Sequence, residues 1–239
     1  MARTKTQVTG QPASGANNRT LAIVGVGAVA LVLIIVVALI GQGLGSSSVS
    51  TGGEEVATLD SQGMTVGNED AAILVQEFAD FRCPHCKDAA TTLTPEIIEN
   101  YVDTGLVRLQ FVPVAVINDE SAFGAQASMC ANDQDKFWTY HDRLFDRQGR
   151  DLFSIENLTK WATELGLNEQ EFRNCLVSGQ YLDELNANMR DFEASGGTGT
   201  PTFLVNGQLL NGAVAWEEMK ATIDTQLAAA GGEVAPATQ

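Results

Sequence analysis

Apolar and polar positions change rhythm several times along the 239-residue chain, and each change marks an element. AAILVQEFADF (71–81) is a short apolar run bounded by NED and CPHC. Ile73 to Phe78 within it reads as a buried central strand. Pro84 suits the first turn of a helix, where a missing N–H leaves no partner wanting. That helix continues through KDAATTLTPEIIENYV, and Pro95 inside it predicts a kink or a split. LVRLQFVPVAV (106–116) alternates like a second buried strand.

From Glu120 to about Ser195 the spacing turns helical. FWTYHDRLF (137–145), SIENLTKWATELG (154–166) and NEQEFRNCLVSG (168–179) each set apolar residues three or four apart. Ser154 with Asn157 and Asn168 with Glu171 mark starts; Gly166 and Gly179 mark stops. TPTFLVNG (200–207) is a third strand ending in a turn, LLN a short fourth, and AWEEMKATIDTQLAAA (215–230) a closing amphipathic helix. The order is strand, helix, strand, helical block, strand pair, helix. It predicts an α/β domain over residues 63–230 with a helical subdomain inserted at about 118–196. Residues 231–239 read as a loose tail.

Upstream the pattern is different. Leu21 to Ile40 holds no charged residue, and twenty residues of helix span about 30 Å, the hydrocarbon thickness of a bilayer. A cleaved signal peptide is the rival, but its apolar stretch runs to only about 7–15 residues. Residues 21–40 are therefore expected to be an uncleaved transmembrane helix, and residues 41–62, rich in Gly and Ser, a flexible tether. Residues 1–53 contain Arg3, Lys5 and Arg19 and no acid, while all 30 acids lie beyond. This asymmetry predicts a cytoplasmic N-terminus (1–20) and an exported domain: a single-pass protein of the cell membrane. So acidic a domain repels nucleic-acid backbones, and no nucleic-acid partner is expected.

Outside the cytoplasm, cysteines signify disulfides. Cys83-Pro84-His85-Cys86 places two of them three apart at a helix start. Cys83 falls at the N-cap, where the free amides of the first turn and a nearby His85 imidazolium favour a thiolate. Cys86, one turn in, suits the resolving role. Lys87 rules out the haem motif, and a zinc site would need a second ligand pair that the chain does not offer, so no metal and no cofactor beyond a redox-active disulfide is expected. Cys130 and Cys175, on separate helical segments, are expected to bridge each other; two buried free thiols are the alternative. Trp138, Tyr140, His141 and Phe145 share one helix face as core and rim, with His141 expected at the surface or as a cap.

Glu77-Phe78-x-x-Phe81-x-Cys83-Pro84-His85-Cys86 resembles the active-site segment of DsbA-like thioredoxin-fold oxidoreductases. Gly199-Thr200-Pro201-Thr202-Phe203 resembles that family's cis-proline loop, and the helical block its inserted domain. The resemblance covers residues 63–230. It implies a thioredoxin-like fold, Cys83 as exposed nucleophile and Cys86 as buried resolving thiol. It also implies that Glu77 is a buried acid moving protons for Cys86, that Pro201 is cis against the disulfide and holds substrate peptide, and that Thr200 tunes potential and specificity.

The activity so implied is an oxidase that donates the Cys83–Cys86 disulfide to exported proteins bearing cysteines and is reoxidised by a membrane quinone-linked partner. A reductase or isomerase, or a tethered binding module without turnover, are the alternatives. Retention of both cysteines, His85 and Pro201 speaks against the last.

Overall fold

The computed structural model describes residues 59 and 62–231. The apolar block 21–40, the N-terminus before it, most of the 41–62 tether and the tail beyond 231 lie outside the described residues. Among the described residues no helix is long and apolar enough to cross a membrane.

A five-stranded sheet runs in the order β1-β3-β2-β4-β5. Its strands are β1 (Thr65–Val66), β2 (Ile73–Ala79), β3 (Val107–Pro113), β4 (Thr202–Val205) and β5 (Gln208–Asn211). Strand β2 is parallel to β3, from Ile73 opposite Val107 to Ala79 opposite Pro113, and antiparallel to β4, with Glu77 opposite Phe203. A parallel pair needs a crossover, and α1 (Pro84–Ile97) supplies it. Strand β1 was not predicted, because two residues carry no readable alternation.

Two expectations need correction here. Helix α1 neither breaks nor ends at Pro95; it passes through and widens one turn later into a π-helical turn, Ile98–Val102. Pro95 lies on the exposed side of α1, so its ring meets solvent and not the packed core. Strand β3 stops at Pro113 instead of running to residue 116. The amides of Val116 and Ile117 leave the ladder and donate to the Asp80 carboxylate at 2.7 and 3.0 Å.

Between β3 and β4 come α2 (Asp119–Asn132), α3 (Phe137–Arg147), α4 (Ile155–Glu164), α5 (Glu169–Ser178) and α6 (Leu182–Ala194); α7 (Trp216–Ala229) closes the chain's described part. Ser154 and Asn168 cap α4 and α5 by accepting first-turn amides, and Gly179 ends α5 at φ 65°, where a side chain would be strained. Cys130 of α2 and Cys175 of α5 are bridged.

Alternation along β2 and β3 splits the packing. Ile73, Val75, Leu109 and Phe111 join the large core beneath α1, α3 and α7, while Phe78 and Val112 pack with Val114 and Phe192 of α6 on the opposite face. His141 is corrected as well. It is not a surface residue but is 2% exposed, ringed by Phe81, Phe111, Phe137, Trp138 and Phe145. Its helix turns the same face inward as Trp138 and Phe145, so the ring follows them into the core.

Candidate active site

Strand β2 delivers the chain to the end of the sheet, and the turn Asp80–Arg82 hands it to α1. Cys83 is the N-cap of α1 with Pro84 behind it at the first helical position. The Cys83 carbonyl accepts from the amides of Cys86 and Lys87, both at 3.2 Å. Cys86 is one turn in and fully buried; Pro84 and His85 face solvent. Cys83 and Cys86 carry free thiols in this structure.

Cys83 is not the exposed residue the resemblance implies: it is only 3% exposed. The loop before β4 covers it. There the Thr200–Pro201 peptide is cis, and the Cys83 thiol donates to the Thr200 carbonyl at 3.1 Å. Pairing of Phe78 with Thr202 fixes this loop against the end of β2.

The two sulfurs are held in opposite protonation states. Cys83 is lowered from 9.0 to about 5, chiefly because the Cys86 thiol donates to it; burial works against this, and the main-chain amides of Cys86 and His85 add to it. Burial first, and the neighbouring Cys83 sulfur second, push Cys86 far up. The helix tip thus acts as anticipated, but His85 contributes through its N–H. Its ring lies in solvent 3.8 Å from Asp88.

Glu77 is 1% exposed on β2, between Phe111 and Phe203 of the neighbouring strands. Burial raises its carboxyl from 4.5 to about 7, against the lowering effect of the Thr94 hydroxyl, which donates to Oε2 at 3.1 Å. A carboxyl with that value can both give and take a proton near neutrality.

Two site residues escaped the sequence reading. Asp80 is buried, and its carboxylate collects the amides of Arg82, Val116 and Ile117, while its own amide points at the Cys86 sulfur at 3.5 Å. Gln148, at the end of α3, donates to the carbonyls of both Phe81 and Cys83 at 2.9 Å. Arg82 adds a second tie to the helical insertion, its guanidinium 4.8 Å over the Phe153 ring. An acid after a strand is a faint signal for a turn clamp; a glutamine 65 residues downstream carries none. Among the described residues no cluster of His, Cys, Asp or Glu could hold a metal ion.

Set against known proteins, residues 59–225 match the family model described as thioredoxin. The chain belongs to the thioredoxin family. Within it, the chain is 30% identical over 188 residues to a protein of Bacillus anthracis named probable disulfide bond formation protein D, covering 73% of this chain and 82% of that one. Oxidised BdbD of Bacillus subtilis superposes with a TM-score of 0.65 at 25% identity, covering 70% of this chain and 93% of that one. DsbA of Chlamydia trachomatis superposes with a TM-score of 0.62 at 26% identity over 70% of this chain and 91% of its own. This thioredoxin-family chain is a DsbA-like protein thiol-disulfide oxidoreductase.

Proposed function

We propose that the protein is a membrane-tethered oxidase that works outside the cytoplasm and passes its Cys83–Cys86 disulfide to exported proteins. The observation that carries the direction is the split between the two sulfurs, Cys83 lowered to about 5 and Cys86 held protonated. A stable thiolate favours the reduced enzyme over its disulfide, and so makes the disulfide an oxidant. Similarity to named disulfide bond formation proteins points the same way. The charge asymmetry about residues 21–40 and the Cys130–Cys175 bridge suit an exported domain.

The steps balance as follows. A substrate thiolate attacks the Cys83 sulfur; the Cys83–Cys86 bond breaks, and its electron pair leaves on Cys86, which takes a proton. A second substrate thiolate then attacks the substrate sulfur of the mixed disulfide. The Cys83 thiolate departs, the substrate keeps the new disulfide, and the enzyme holds both electrons. The substrate approaches past the Thr200–Pro201 loop that covers Cys83. A membrane quinone-linked partner takes the two electrons back in the reverse exchange.

Equilibration of the full-length protein with glutathione tests the direction. The oxidase should poise toward the value of strong oxidants, about −120 mV; a value near the roughly −270 mV of thioredoxin would make it a reductase and end this reading.

A further inference from the structure

Asp80 is fully buried at the joint between β2 and α1, and each polar group it carries is engaged. Oδ1 accepts the amide of Arg82 at 2.8 Å, two residues on, closing a turn on its own chain. Oδ2 accepts the amides of Val116 and Ile117, from the segment that leaves β3 for the insertion. The main-chain carbonyl accepts from the Cys83 amide at 2.9 Å. That leaves the Asp80 N–H. Strand β2 pairs only as far as Ala79, so this N–H has no place in the ladder, and it points at the Cys86 sulfur at 3.5 Å.

The peptide plane that carries this N–H is gripped from one segment. Its other pole, the Ala79 carbonyl, accepts from the Val114 amide at 3.0 Å, and the Asp80 carboxylate binds Val116 and Ile117 just beyond. Side chain and main chain together therefore fix the direction of a single donor.

The sulfur it meets changes charge during the reaction. Cys86 is neutral while bonded to Cys83 and neutral again as a buried thiol, because burial and the Cys83 sulfur push it far up. It is negative only in between, as the disulfide opens. Of the groups that favour the ionised sulfur, the Asp80 amide comes first. A donor set in advance on an atom that is charged only in passing lowers the barrier in both directions and changes the end states little.

We propose that Asp80 forms a one-donor anion hole for the leaving sulfur, its carboxylate positioning its own N–H against the charge that develops on Cys86. The inference rests on the oxidoreductase reading and deepens it. A thiolate attacks Cys83 and forms the new S–S bond; the electron pair of the Cys83–Cys86 bond moves onto Cys86; the Asp80 N–H stabilises that pair until Cys86 takes a proton.

The test is rapid-quench kinetics of the oxidised full-length protein with glutathione. Asp80→Asn keeps the size of the side chain and one acceptor oxygen, but turns an N–H2 toward main-chain amides and so loosens the grip. Opening by glutathione, and closure of the Cys83–glutathione mixed disulfide by Cys86, should each slow about tenfold, the worth of one hydrogen bond to a charged atom. The glutathione equilibrium should stay where it is in wild type. In a Cys86→Ala background, release of glutathione from Cys83 by a second thiol charges no sulfur at position 86, and Asp80→Asn should not alter that rate. An ester in place of the Ala79–Asp80 amide, made by semisynthesis with malate at position 80, removes the N–H and keeps the carboxylate. It should open as slowly, and it decides the matter should Asp80→Asn not fold. Opening of the ester protein at the wild-type rate or faster, or equal slowing of the release step by Asp80→Asn, overturns the role of Asp80 and leaves the oxidoreductase standing. A wild-type protein that does not exchange disulfides with glutathione overturns both.

Discussion

The two cysteine pairs share one chain and differ in nearly everything that decides what a disulfide does. Cys83 and Cys86 are three residues apart at a helix tip, so closing their ring removes little freedom from the unfolded chain. Cys130 and Cys175 are 45 residues apart on two helices of the insertion, Cα atoms 5.9 Å from each other. By the chain-entropy relation a loop of that length is worth about 4 kcal/mol. Burial, main-chain amides and the hydrogen bond between its own two sulfurs divide the protonation of the first pair; the second sits among packed helices. Sequence separation and electrostatic setting, not the chemistry of sulfur, assign one pair to electron transfer and the other to holding the fold.

The sharpest break in this comparison is Cys83→Ser, which should reduce disulfide exchange with a dithiol peptide to background while leaving the Cys130–Cys175 bridge intact. Peptide oxidation and thiol counting after denaturation read the two effects separately. Next in size is the titration of the reduced protein. The ultraviolet absorbance of one thiolate should appear with a midpoint near 5 and hold through neutrality, with no second thiolate emerging. The sign follows from the lowered value. The thiolate's stabilisation of the folded, reduced chain is complete above 9.0 and is lost as pH falls through about 5. A midpoint near 9 would remove the basis for an oxidising disulfide.

Removing the other pair, in Cys130→Ala with Cys175→Ala, should lower stability to denaturant by about 2–4 kcal/mol and leave the glutathione equilibrium of Cys83 and Cys86 unchanged. A shift in that equilibrium would mean the pairs are coupled, and the division drawn above would not hold.

What the sequence disclosed follows the same division. The C-P-H-C motif, the strand into it and the helix out of it are local, so spacing alone placed Cys83, Cys86 and Pro84. The helix boundaries at Ser154, Asn168 and Gly179 were legible because capping is a contact between neighbours. Burial was harder to read. The cover over Cys83 comes from a loop 117 residues away, and the burial of His141 depends on rings from the turn after β2, from β3 and from α3 together. Asp80 and Gln148 were hard to see for a related reason: they satisfy main-chain groups, and side-chain patterns hardly announce an amide in need of an acceptor or a carbonyl in need of a donor.

Glu77 gives a smaller effect with a distinctive pH sign. A carboxyl raised from 4.5 to about 7 stabilises the fold relative to an ionised one only at low pH, and that contribution is lost as pH rises through about 7. Glu77→Gln should therefore match wild type near pH 4 and exceed it in stability by up to about 3 kcal/mol near pH 8. Equal stability at both pH values, from denaturant melts, would place Glu77 in contact with water.

The smallest effect concerns the seam between the sheet and the insertion. Gln148 binds the carbonyls of Phe81 and Cys83 from α3, so Gln148→Ala leaves two buried acceptors short of a donor. At about 0.5–1.5 kcal/mol for each bond, the loss should come to about 1–3 kcal/mol. The Cys83 carbonyl still accepts from the Cys86 and Lys87 amides, so the start of α1 should survive and the glutathione equilibrium should move little. Hydrogen exchange of those two amides, compared between wild type and variant, decides the matter. If they lose protection as fully as in global unfolding, the helical insertion is what holds the redox turn together, and the separation between the folding pair and the redox pair is less complete than their positions in the chain imply.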